Sequence, residues 1–394
     1  MTALDLRPAA PLLRRAAPAL LGYALVRALG VLVLAVWSAA HGKSAHTLLS
    51  ARWDSLWYVR VAELGYGYEV RLPDGDVHSN LAFFPLLPWL ERAGAAVTPL
   101  SYADAGLLVG ALASLAAALG IFAVADRLHG RGAGLFAVLL WAVLPVGIVQ
   151  SMAYSEALFT ALAAWALYAV LTGHWVTAGT LAAFAGLTRP IGAAVVLAVW
   201  AAALVPYARG RGRPPSVRWG NVGAPRGAFA RRRALGMLLA PLGAAGYVLW
   251  VGHRTGGGVR GYLDVQAGWG NGFDGGYAFA RFTAALLTSF PSALAGLGLL
   301  VGVALLVRLY VGCVRQGQPL PLLVYTGVIV VLALGASGYF GSKPRLLMPA
   351  FPLLFPLAVA LARLRTARSA PVVAVLAAGS AVYGALWLGG SGPP

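Results

Sequence analysis

Long apolar runs separated by short polar turns recur along the whole chain. A bilayer core about 30 Å thick needs about 20 helical residues, each rising 1.5 Å. Runs near that length fall at about 18–40, 103–125, 133–151, 155–172, 175–187, 189–207, 233–252, 284–310, 320–338, 344–363 and 369–388. The pattern therefore predicts about eleven transmembrane helices. The pair flanking Arg189 and Pro190 reads equally as one broken helix, because proline lacks a backbone donor and arginine resists lipid.

Between the first two runs the pattern changes. Trp53, Trp57 and Val61 recur four residues apart, which predicts a helix lying in the headgroup layer, where Trp and Tyr concentrate. From Leu81 to Val97 an apolar run is interrupted by Pro85 and Pro88, as expected of a surface or re-entrant helix. The turn around Pro73–Asp76 has ordinary loop chemistry. The fold class expected is an all-α polytopic membrane protein, one domain over residues 1–394. Its first outer loop spans about 41–102, a basic cytoplasmic loop about 208–233, and a Gly- and aromatic-rich outer loop, expected to be a flexible lid, about 253–283.

Composition agrees with the pattern: 60% of the 394 residues are hydrophobic and 11% charged, against roughly 25% charged in a soluble domain. The net charge of +18 suggests nucleic acid until the arginines are placed. Eight lie between Arg209 and Arg233 with no acid among them, and short basic loops stay cytoplasmic. Setting that loop inside puts the N-terminus inside and most acids outside, so topology accounts for the charge and no nucleic-acid partner is expected. The basic loop reads as a tether to anionic headgroups. Arg27, inside the first run, is expected to snorkel to the cytoplasmic headgroups. At about 23 residues that run exceeds a signal-peptide core of 7 to 15 and reads as a retained helix. The single cysteine, Cys313, excludes an intrachain disulfide.

This topology delivers four polar clusters to one non-cytoplasmic face: Arg52–Tyr58 with His78–Leu90, Ala153–Phe159, Leu187–Pro190 and Gly341–Arg345. Asp54, half sheltered by aromatics, can act as a base or cap its own helix, and capping is the commoner use. Glu156 at a helix start has an ordinary use in the helix dipole, and Arg189, Lys343 and Arg345 in snorkelling. Together, three cations and two acids beside Pro turns make a site for a phosphate and a hydroxylated partner. His41, His46, His78 and His253 lack ligand-like spacing, so no metal site is expected.

The ordered motifs RWDSLWYVRVAELGY, HSNLAFFPLLPWL, AYSEALF, LTRPIG and SKPRLLMPAFPLL resemble those of the PIG-V family of mannosyltransferases, membrane enzymes of the GT-C class, over about Arg52 to Leu354. That resemblance implies a GT-C-like helical bundle. It implies transfer of mannose from a polyprenyl-phosphate mannose donor to a glycan or glycolipid acceptor on the non-cytoplasmic side of the cell membrane, with Asp54 as the base. Many GT-C relatives carry two adjacent acids here, whereas Asp54 precedes Ser55, so a divalent metal is unsupported. With the residue reading, it implies that Arg189, Lys343 and Arg345 hold the phosphate. Trp53, Tyr58, His78, Asn80 and Tyr154 would line the sugar site, and Glu156 would hold an acceptor hydroxyl or a cation. A multi-span transporter or flippase of lipid-linked sugars, or a non-catalytic subunit, is the rival reading.

Overall fold

A computed structural model describes residues 9–73, 75–208 and 226–390. Residues 1–8, most of the basic loop expected to be cytoplasmic, Asp74 and residues 391–394 fall outside them. The chain enters through α1 (Ala9–Ala40). Its first outer loop folds into α2 (Ala45–Ser50), α3 (Asp54–Leu64), a hairpin of β1 (Glu69–Arg71) and β2 (Val77–Ser79), and α4 (Leu86–Val97). The hairpin is antiparallel and sets Val70 opposite His78. There follow α5 (Tyr102–His129), α6 (Arg131–Ala142), α7 (Ser155–Thr172), α8 (Trp175–Gly186) and α9 (Ala193–Ala208). The second half comprises α10 (Arg226–Leu239), α11 (Leu242–Thr255), α12 (Gly261–Gly268), α13 (Tyr277–Leu286), α14 (Ser292–Arg315), α15 (Leu320–Gly335), α16 (Lys343–Leu347), α17 (Phe355–Ala362) and α18 (Thr366–Gly389).

Helix α5 is the hub: it packs on α4, α6 and α7, while α1 lies against α6 and α18. Phe122, Trp141, Phe159 and Leu167 are fully buried around it. By contrast α14 exposes Leu294, Leu297, Val301 and Leu305 along its length, a surface suited to lipid rather than water.

Among the described residues, six helices are long and apolar enough to cross a membrane, or seven if Phe340–Leu347 and Phe351–Ala362, bent by 75°, count as one span. The four shorter apolar helices are Arg131–Ala142, Trp175–Gly186, Pro190–Leu204 and Leu320–Gly335. Each of the eleven expected runs thus carries helix, but several are shorter or more broken than expected. Proline is the recurring reason. The run expected at 133–151 stops at Ala142 because Pro145 has no N–H to continue the ladder, and Gly147–Ser151 form a 3-10 turn instead. The run expected from 284 begins at Ser292, behind Pro291, and its first residues, 284–286, belong to α13.

Such breaks leave carbonyls that hydrocarbon cannot hydrate. Arg27 answers one of them: its guanidinium donates to the carbonyls of Ala142 and Gly147, and Gln150 donates to Trp141 O at 2.8 Å. Arg27 therefore turns into the bundle instead of snorkelling to the headgroups. Gly147 must stay a glycine here, since a Cβ would fall 2.7 Å from Ala142 O and 2.8 Å from an Arg27 nitrogen.

The outer loop at 253–283 also differs from expectation. It is built of helix and pinned at both sides rather than a flexible lid: Trp269 donates to Ser79 O at 3.0 Å, and Phe273 bridges Ala336. Within α3, Ser55, Tyr58, Val61 and Ala62 are buried, so the inner face is rotated from the expected Trp53–Trp57–Val61 stripe. Trp57 instead stacks on Phe83, their ring centroids 5.7 Å apart.

Helix α4 carries Glu91 into the interface with α5, fully buried and with neither carboxyl oxygen hydrogen-bonded among the described residues. A Cβ on Gly106 of α5 would come 2.6 Å from Glu91 Oε1, so a larger residue there would have to push the carboxyl aside. Desolvation holds the Glu91 pKa well above the ordinary glutamate value. Its proton is then bound more tightly folded than unfolded, and stability falls as pH rises from the unfolded value toward the folded one. Glu91→Gln should accordingly raise the melting temperature of the detergent-solubilised protein at pH 7, with the gain vanishing near pH 4. A gain of the same size at both pH values would show that Glu91 is not held protonated.

Candidate active site

Helix α3 begins one residue after a strained one. Trp53 has φ 53° and ψ −123°, a region that costs a side-chain-bearing residue about 1–3 kcal/mol. Among the described residues only one other non-glycine has positive φ, Tyr339, which lies between α15 and α16. Both precede charged residues of the site. Strain at these two positions aims the segments that follow.

Asp54 does not cap α3. Ser55 Oγ closes the turn instead, accepting from Arg52 N–H at 2.9 Å and donating to Arg52 O at 2.6 Å. The Asp54 carboxylate, so released, accepts from Arg345 Nη1 at 2.6 Å. Arg345 Nε lies 3.3 Å from Glu156 Oε1, and Arg189 Nη1 meets the same oxygen. Asp54, Arg345, Glu156 and Arg189 thus form an alternating chain of two acids and two bases with no net charge. Side-chain exposure is 1% at Glu156, 8% at Arg345, 13% at Arg189 and 24% at Asp54. Asp54 is the open end.

Aromatic side chains wall this chain in. The Arg345 guanidinium sits 5.1 Å from the Tyr154 ring centroid, and Tyr154 Oη accepts from Asp54 N–H at 3.3 Å. Tyr58, buried, shares a 2.7 Å hydrogen bond with Ser155 Oγ. Burial first, and the Asp54 charge second, push the Tyr154 phenol up. Glu156 is the anion that offsets the buried Arg189 charge. The Tyr339 phenol, missing from the residues singled out in the sequence, is raised by burial and then by the charges of Asp54 and Asp76. Its backbone strain is invisible in the letters.

Other expected residues go elsewhere. Lys343 is not part of the ion-pair chain: its ammonium donates to the carbonyls of Ala333 at 2.8 Å and Ala336 at 2.7 Å and lies over the Phe279 ring. Those are the freed carbonyls at the end of α15, which a buried cation satisfies. Asn80 spends its amide on the backbone, accepting from Gly67 N–H at 3.0 Å and donating to Gly65 O at 2.9 Å, so it shapes the loop. His78 stacks flat on Trp269 at 4.1 Å. The Trp53 ring is covered by the Arg52 guanidinium at 3.9 Å. Among the described residues no three His, Cys, Asp or Glu gather as metal ligands.

The surface opens into an apolar groove of about 680 Å³ between α4, α8 and α11, lined by Leu187, Phe184, Gly246 and Leu242 and rimmed by Tyr66 and Trp250. Leu187, at one wall, stands two residues before Arg189 in the chain.

This arrangement has the fold of the GT-C polytopic membrane glycosyltransferases. ArnT from Cupriavidus metallidurans, bound to undecaprenyl phosphate, matches with a TM-score of 0.54 and 16% identity over 89% of this chain and 62% of that one. The oligosaccharyltransferase of Archaeoglobus fulgidus in its apo form matches with a TM-score of 0.52 and 12% identity over 94% of this chain and 56% of that one. The chain thus spans about three-fifths of the solved structures it resembles. Residues 80–215 match the family described as dolichyl-phosphate-mannose-protein mannosyltransferase. No curated protein matches the sequence.

Glu156 is the shared anion of two buried guanidiniums. Removing the anion from a buried ion-pair group typically costs about 3–5 kcal/mol, since unpaired charge is left behind. Glu156→Gln should therefore lower the melting temperature clearly, whereas Asp54→Asn, at the exposed end, should change it little. Equal, small effects from both would rule out Glu156 as the anchor.

Proposed function

We propose that the protein is a glycosyltransferase that moves mannose from a polyprenyl-phosphate mannose to a glycan or glycolipid hydroxyl. The observation that carries this reading is a half-open carboxylate, Asp54, paired with the buried Arg345 and linked through Glu156 to the buried Arg189, in a helical bundle that also holds an apolar groove. A lipid phosphodiester fits each part: the groove takes isoprenoid, and the arginines take phosphate. Arg345 spends Nε and Nη1 on carboxylates, and a guanidinium carries five N–H donors, so it can bind an anion without abandoning Glu156. The undecaprenyl phosphate in the ArnT structure and the family match at residues 80–215 support the same donor class.

The chemistry follows from charge. As the bond between the anomeric carbon and the phosphate oxygen breaks, its electron pair passes to the phosphate, which gains a second negative charge. Arg345 and Arg189 offset that charge in a buried setting where it counts most. The acceptor oxygen attacks the anomeric carbon from the opposite face, inverting it, and its proton passes to Asp54. Arg345 neutralises Asp54 in the ligand-free protein; an arriving phosphate competes for that guanidinium and frees the base. Trp53, Tyr58 and Tyr154 shape the cleft around the sugars. The site faces the non-cytoplasmic side, with the N-terminus inside. No step is routed through a metal.

Purified full-length protein, given radiolabelled polyprenyl-phosphate mannose and a total membrane glycolipid extract, should yield labelled glycolipid. Asp54→Asn should lower transfer about 10²- to 10⁴-fold, the usual reach of a general base, and Arg189→Gln should raise the donor KM. Transfer by Asp54→Asn at the unmodified rate would overturn the role of Asp54, and unaltered donor kinetics in Arg189→Gln would remove the arginine from donor binding.

A further inference from the structure

We infer that Arg52 is a positioning residue for Asp54, a strut that ties the residue before the carboxylate to the end of the last helix. The inference rests on the reading of Asp54 as the base. It starts from Trp53, whose positive φ is not a conformation the residue adopts without support. The support nearest at hand is its own neighbour. Arg52 lays its guanidinium on the Trp53 ring at 3.9 Å, a stacking that favours arginine over other cations. The far side of the guanidinium is fixed too: Nη1 donates to Leu388 O at 3.1 Å and Nη2 to Gly390 O at 2.9 Å.

Those carbonyls belong to the last turn of α18, where backbone acceptors have no helical partner and the helix dipole is negative. Lys43 takes the one between them, donating to Gly389 O at 2.8 Å. Two cations of the first outer loop therefore hold three successive carbonyls. Only Arg52 also touches Trp53. The planar fork of arginine makes this possible, since its edge donates to the carbonyls while its face covers the indole. With Trp53 fixed, and Ser55 closing the turn around it, Asp54 is aimed at Arg345.

Loosening the strut should misdirect the carboxylate without disturbing the buried arginines. In the transfer assay with radiolabelled polyprenyl-phosphate mannose, Arg52→Gln should lower kcat about 10- to 100-fold, the scale of a misplacement near 1 Å. Its donor KM should stay within about twofold. Arg52→Lys should recover part of the loss, because an ammonium still reaches the helix end but covers indole less well. Lys43→Met, which cuts the same helix end loose from a cation that does not touch Trp53, should leave kcat within about twofold. Normal kcat in Arg52→Gln, beside an inactive Asp54→Asn, overturns the strut and leaves the base intact. A loss in Lys43→Met as deep as in Arg52→Gln overturns it as well, in favour of a general tether of α18. If Arg52→Gln does not fold, a normal kcat in Arg52→Lys overturns the proposal and a reduced kcat with unaltered KM supports it. Full activity in Asp54→Asn instead defeats the underlying reading of the site.

Discussion

The arrangement of the site depends on one buried carboxylate. Glu156 stands at the first turn of α7, almost without solvent, and holds Arg189 and Arg345 together. Two guanidiniums in an apolar surrounding repel each other and lose hydration; a shared anion offsets both costs. Through Arg345 the same anion fixes where Asp54 points. Three helix ends and one interfacial helix, far apart in the chain, are thereby committed to a single geometry.

Broken helices supply these side chains. In hydrocarbon a continuous helix satisfies every backbone group, so charged residues gather where the ladder is interrupted and polar partners are needed. Pro190 opens the 3-10 turn Pro190–Gly192 that leads into α9, just after Arg189, and the segment bearing Arg345 belongs to a helix pair bent by 75°. Arg27 and Lys343 show the same economy away from the ion-pair chain, each satisfying carbonyls that a break or a helix end sets free. The chain therefore uses cations in two ways, as mates for carboxylates and as caps for backbone, and composition does not distinguish them.

The apolar groove lined by Leu187 adds the third ingredient. Its walls come from α4, α8 and α11, so the loop helix that follows the hairpin is as much part of it as the spans are. Tyr247 reinforces this join by donating to the carbonyls of Leu81 and Phe83.

Much of the fold was legible in the letters. Hydrophobic periodicity marks helix at each apolar run, because burial in lipid is a one-dimensional demand on consecutive residues, and the four motifs that converge are recognisable as polar clusters at run ends. What failed were positions whose behaviour depends on partners distant in sequence. Capping by Asp54 was the reasonable local expectation, until Arg345, 291 residues away, outcompeted it. Lys343 reads like Arg345 two residues on, yet a helix turn sends one to carbonyls and the other to carboxylates. Asn80 and the Gly-rich loop likewise looked free because their hydrogen-bond partners are not neighbours in the chain. The sequence by itself determined that this is a polytopic helical membrane protein with polar clusters at the ends of its apolar runs. Tertiary structure alone decided which charges pair, which cap backbone and which remains open, because pairing is set by distance in space and by the local loss of water.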